Sequence, residues 1–120
     1  MAQILVADDE RMLRRVIGRV LRRSGHVVVE AENGQEAISK VTEAPDSFGL
    51  VILDMNMPQV DGIQAAQAIF EVAPELPILI ASGDTKEAVL ERFGDREPQG
   101  IIQKPFVPAE LTAIVDQFLA

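Results

Sequence analysis

Apolar residues fall into five short unbroken runs along the chain, each followed by a longer stretch in which they recur at helical spacing. Ile4-Leu5-Val6-Ala7 comes first and ends in acids, after which Leu13, Val16, Ile17, Val20 and Leu21 repeat every three to four residues until Gly25. Val27-Val28-Val29 is a second run. Asn33, with Glu36 three residues on, then has the form of a helix cap before Ala37, Ile38 and Val41. Leu50-Val51-Ile52-Leu53 leads into Asp54, and Asp61-Gly62 opens a helix carrying Ile63, Ala66 and Phe70. Pro77 introduces Ile78-Leu79-Ile80-Ala81. Asp84 with Glu87 is expected to cap a short helix holding Val89 and Phe93, stopped at Gly94. Gly100-Ile101-Ile102 is the fifth run. Pro108 occupies a first helical position, ahead of an apolar face of Leu111, Ile114, Val115, Phe118 and Leu119.

The runs are continuous rather than alternating, as in strands buried on both faces. That pattern predicts an α/β fold with a parallel sheet covered by helices on each side. Strands of a parallel sheet point the same way, so their carboxyl ends share one edge, where such folds bind ligands. Here the first run ends in Asp8-Asp9-Glu10, the third in Asp54, the fourth in Ser82 and the fifth in Gln103-Lys104. The second ends in Ala31-Glu32, which suits an outer strand.

Three converging carboxylates raise one another's pKa unless a cation intervenes. An oxygen-only donor set favours a hard ion, Mg²⁺ or Ca²⁺. Lys104 adds a mobile positive charge and Ser82 a hydroxyl. Together these groups suffice for phosphoryl transfer, which depends mainly on positioning and charge stabilisation.

Composition narrows the picture. The 120 residues fit one domain, 1–120, and 48% of them are hydrophobic, enough for a single core. With no Trp, no Tyr and five Phe, that core must be largely aliphatic; with no Cys there is neither disulfide nor thiolate metal site. No run is long enough to span a membrane and Met1-Ala2-Gln3 does not open a signal peptide, so a cytoplasmic location is expected. The net charge of −8 argues against nucleic acid as a partner. Six of the eleven basic residues are nonetheless Arg11, Arg14, Arg15, Arg19, Arg22 and Arg23 of the first helix. Because the apolar stripe faces inward, these arginines are expected outside, either as a solvated face pairing with Glu10 or as a docking surface for an acidic partner. His26, after Gly25, reads as a turn residue, and Met55 and Met57 as packing residues.

The ordered set Asp8-Asp9, Asp54, Met57-Pro58-Gln59-Val60-Asp61-Gly62, Ala81-Ser82-Gly83 and Lys104-Pro105-Phe106 resembles the CheY-like response-regulator receiver family of two-component signalling over essentially the whole chain. The resemblance implies a flavodoxin-like, doubly wound three-layer sandwich with strand order 2-1-3-4-5. It implies that Asp54 accepts a phosphoryl group from a histidine kinase or histidine phosphotransfer protein. Mg²⁺ would be held by Asp9, Asp54 and the Asn56 backbone carbonyl, with Asp8 acting through water. Lys104 and Ser82 would grip the phosphoryl group, and Lys104-Pro105 would be cis. Two departures stand out. Ile101 occupies the place, three residues before the lysine, where the family often has Tyr or Phe, and the chain stops after its fifth helix. Output is therefore expected as a changed contact with an unknown downstream protein. The alternative is an interaction module indifferent to phosphorylation. A haloacid-dehalogenase-type phosphatase would need Asp-x-Asp after the first strand, and a nucleotide enzyme a G-x-G-x-x-G or P-loop; neither motif is present.

Overall fold

A computed structural model describes residues 3–119; the extreme ends of the expected 1–120 domain, including Met1 and Ala2, lie outside the described residues. Five strand–helix units follow one another: β1 Gln3–Ala7, α1 Arg11–Arg23, β2 Val27–Ala31, α2 Gly34–Glu43, β3 Leu50–Asp54, α3 Gly62–Val72, β4 Ile78–Ser82, α4 Lys86–Arg92, β5 Gly100–Gln103 and α5 Pro108–Leu119. All strand pairs are parallel and the order is β2-β1-β3-β4-β5, so the expected topology holds and β2 lies at an edge. Every residue of the central strands β3 and β4 is buried, which explains their unbroken apolar text.

Alternate strand residues feed two cores. Leu5, Leu53, Ile78 and Ile80 pack with Ala37, Val41, Ala66, Ile69, Phe70 and Val89 from α2, α3 and α4. Ile4, Val6, Ile52 and Leu79 pack on the other face with Ile17, Leu21, Leu111 and Val115 from α1 and α5. Each fully buried aliphatic side chain contributes about 1.5–3 kcal/mol relative to exposure.

Two positions on α1 differ from the sequence reading. Val16 is half-exposed rather than core, while Arg14 is buried at 7%. Residues 14, 17 and 21 form the i, i+3, i+7 stripe that meets the sheet, and Val16 lies off it. The cap of α4 also differs: the Thr85 side chain, not Asp84, accepts the Ala88 N–H. Thr85 is the residue directly before the first helical turn, where a cap oxygen reaches the N3 amide; Asp84 is one residue too early. Asn33 and Asp61 cap α2 and α3 as expected, and Asp61 forms a reciprocal capping box with Gln64.

Candidate functional site at the carboxyl edge of the sheet

Parallel pairing brings the ends of β1, β3, β4 and β5 together. Ala7 sits opposite Leu53, Asp54 opposite Ala81, and Ser82 opposite Gln103. Main-chain bonds extend this alignment past the strands, because Met55 donates to the Ala81 carbonyl (2.9 Å) and Lys104 to the Ser82 carbonyl (2.7 Å). Gly62 fixes the opposite wall. Its amide donates to the Met55 carbonyl at 2.9 Å, and a Cβ there would overlap the Asp54 carbonyl oxygen. Only glycine lets α3 start this close to the strand that ends in Asp54.

Oxygens of Asp8, Asp9 and Asp54 lie within 4.8 Å of one another. Asp8 and Asp54 are 2% and 6% exposed, whereas Asp9 is open to solvent. The Lys104 ammonium donates to Asp54 Oδ1 at 2.8 Å and lies 3.8 Å from Asp8 Oδ2. Ser82 is fully buried, and its Oγ accepts the Asp84 N–H at 3.0 Å. Asn56, two residues beyond Asp54, has its side chain in solvent. The Lys104–Pro105 peptide is cis. Met55 and Met57 are buried as packing residues, and the His26 amide donates to Leu21 in the turn between α1 and β2.

One lysine does not balance three carboxylates. Burial pushes the Asp8 carboxyl up to about 6. Asp54 and Asp9 push the same way, while the Glu10 N–H on Asp8 Oδ1 (2.8 Å) and Lys104 oppose the rise. A set of hard oxygen donors with excess negative charge at a solvent-reaching edge fits a divalent cation such as Mg²⁺.

Arg14 was not foreseen at this site. Its Nη1 donates to the Asp8 carbonyl at 2.7 Å and its Nε to Glu30 Oε1 at 3.0 Å. The spacing to Ile17 and Leu21 marks position 14 as inward-facing, but a lone arginine among six offered no reason to single it out. The partner of Arg14 and Arg22 is Glu30 on β2, not Glu10.

The profile of the response regulator receiver domain matches residues 4–116. The transcriptional regulatory protein ResD of Bacillus subtilis is 37% identical over 117 residues, covering 98% of this chain and 48% of ResD. The response regulator receiver protein CpdR of Brucella abortus is 29% identical over 119 residues, covering 99% of this chain and 98% of CpdR. This chain thus spans about half of one relative and nearly all of the other. Among solved structures, the chemotaxis protein CheY4 of Vibrio cholerae superimposes with a TM-score of 0.89 at 28% identity, covering 98% of each chain. No helix among the described residues is long and apolar enough to cross a membrane. Strand order, the acidic cluster at the sheet edge and the matched profile agree: the chain belongs to the response regulator receiver domain family of two-component systems.

Proposed function

We propose that residues 1–120 act as one phospho-accepting receiver unit, with Asp54 as the acceptor. The observation that carries this reading is the 2.8 Å pair between Lys104 Nζ and Asp54 Oδ1, set beside Asp8 and the solvent-exposed Asp9 at the carboxyl edge of the sheet. A carboxylate oxygen of Asp54 attacks the phosphorus of a phosphohistidine on a histidine kinase or histidine phosphotransfer protein. A carboxylate oxygen carries no proton, so none is lost in the attack. The P–N bond breaks, and the imidazole keeps the electron pair and takes a proton from solvent. Asp54 is both reactant and product, so the chain catalyses only its own phosphorylation and dephosphorylation.

Asp9, Asp54 and the Asn56 carbonyl would hold Mg²⁺, with Asp8 contributing through a water. When bound, the ion neutralises charge on the phosphoryl oxygens. Lys104 exchanges its Asp54 oxygen for a phosphoryl oxygen, and the Ser82 hydroxyl donates to another. The exposed Arg11, Arg15, Arg19, Arg22 and Arg23 form the surface on which an acidic donor protein docks. The downstream partner reads the new state through altered protein–protein contacts.

Incubation with Mg²⁺ and acetyl phosphate should add one phosphoryl group by intact mass, and Asp54→Asn should abolish it. No gain from any donor would overturn the proposal. Ile101 supports a second reading, because it offers neither ring nor polar tip to report on Ser82. On that reading the chain is an interaction module that ignores phosphorylation, and a partner would bind equally well with and without beryllofluoride.

A further inference from the structure

Asp8 and Asp9 stand on the corner between β1 and α1, where strand pairing ends. Their mutual repulsion, and that of Asp54, works to open this corner whenever no cation is bound. Something must hold it, and the main chain of Asp8 is in fact tied on both sides. Its N–H donates to the Ala31 carbonyl at 3.2 Å, and its carbonyl accepts Arg14 Nη1 at 2.7 Å. Arg14 is 7% exposed, the only buried basic residue among those described. Its Nε is fixed by Glu30 Oε1 at 3.0 Å, and Glu30 Oε2 in turn accepts from Arg22 at 3.4 Å. One guanidinium thereby joins α1, the end of β1 and the edge strand β2. The planar fork is what permits this, since it donates in two directions from one rigid group.

We infer that Arg14, held by Glu30, is a positioning residue that fixes the β1–α1 corner so that Asp8 and Asp9 converge on Asp54 as a divalent-cation site. This inference rests on the reading of the acidic cluster as a cation site. Arg14 touches the peptide of Asp8 rather than its carboxylate, and its charge is matched by Glu30. Its effect is therefore geometric, and the sign of a substitution separates geometry from charge. Removing a positive charge near a cation site strengthens binding on Coulomb grounds. Loosening the corner weakens it.

Calorimetric titration of the full chain with Mg²⁺ tests this. Arg14→Met, which keeps the aliphatic stem, should bind about 10-fold more weakly or worse, the usual scale for residues that orient metal ligands. Arg14→Lys keeps the charge but loses the two-way fork, and should also bind more weakly. Lys40→Met, which removes a partly exposed charge from α2 whose partner is Glu36 at 4.0 Å, should match the wild type. Urea midpoints measured in parallel separate a general loss of stability from a change in affinity of the folded protein. Wild-type binding with equal or tighter binding by both Arg14 variants would overturn the positioning role alone. A wild type that does not bind Mg²⁺ would overturn the cation-site reading beneath it. Should Arg14→Met fail to fold, Arg14→Lys decides, because charge predicts no change there and positioning predicts a loss.

Discussion

Asp8→Asn should stabilise the ion-free protein, although it alters a buried residue of the site. Asp8 is 2% exposed, and burial raises its carboxyl from an ordinary 3.8 to about 6. At about 1.4 kcal/mol per pKa unit, ionising Asp8 in the folded state costs about 3 kcal/mol at neutral pH. Asparagine removes that charge. Its Oδ1 can still accept the Glu10 N–H that Asp8 accepts at 2.8 Å, so the corner keeps its local bond. Lys104 keeps its closer partner, Asp54 at 2.8 Å, and loses only the 3.8 Å one. The expected gain at pH 7.5 is therefore about 1–3 kcal/mol, the lower figure allowing for the lost attraction to Lys104.

The sign with pH follows from the direction of the shift. The unfolded chain loses the Asp8 proton near pH 4 and the folded chain near pH 6, so the unfolded state binds fewer protons between them. This residue's contribution to stability thus falls as pH rises from about 4 to 6, and is level above that. Urea unfolding in EDTA, for wild type and Asp8→Asn at several pH values, isolates it, because effects shared by both proteins cancel in the difference. The advantage of the variant should be small at pH 4 and reach its plateau by pH 7. A variant less stable than wild type at pH 7.5, or a difference that does not change with pH, would refute the reasoning.

Other consequences are more local. Lys104→Met removes the only cation paired with Asp54 among the described residues and should cut the rate of labelling by acetyl phosphate about 100-fold, read by intact mass. Gly62→Ala drives a methyl group into the Asp54 carbonyl and should cost about 1–3 kcal/mol in urea unfolding. Asp61→Ala loses the capping box of α3 and should cost about 1 kcal/mol. By contrast, Arg92→Gln breaks only the 3.4 Å pair with Asp61, between side chains 48% and 28% exposed, and should cost less than about 0.5 kcal/mol.

The strands were legible because β3 and β4 are buried on both sides and each opens with four apolar residues before its polar end, Asp54 or Ser82. Asp8, Asp54, Ser82 and Lys104 were legible because each stands at the end of such a run. Strand order was not written in the runs, since five similar apolar segments carry no sign of which neighbour each pairs with; the order came from resemblance. Arg14 was hidden because helical periodicity was read from apolar residues alone, and its guanidinium is buried by paired polar partners that lie far along the chain, at Glu30. Thr85 was missed for a different reason. Asp84 and Thr85 are both good cap residues, and only the backbone path out of β4 decides which one stands at the helix start.

The cost of the acidic cluster has to be offset by the core. A penalty of about 3 kcal/mol at Asp8 equals the contribution of one or two fully buried aliphatic side chains. Leu53 and Ile80, both fully buried, stand one and two residues before Asp54 and Ser82 and hold those ends in place. On the cation-site reading, an ion arriving at the edge would cancel repulsion that the sheet already sustains, and so would gain affinity without ordering a new segment. On the proposed reading, the same logic gives phosphorylation of Asp54 its leverage. Adding a doubly charged group to Asp54 moves the balance between Lys104 and the aspartates, and Ser82 is within the same packed edge. On that reading α4 is the element best suited to move, being a seven-residue helix with Val89 as its one buried residue.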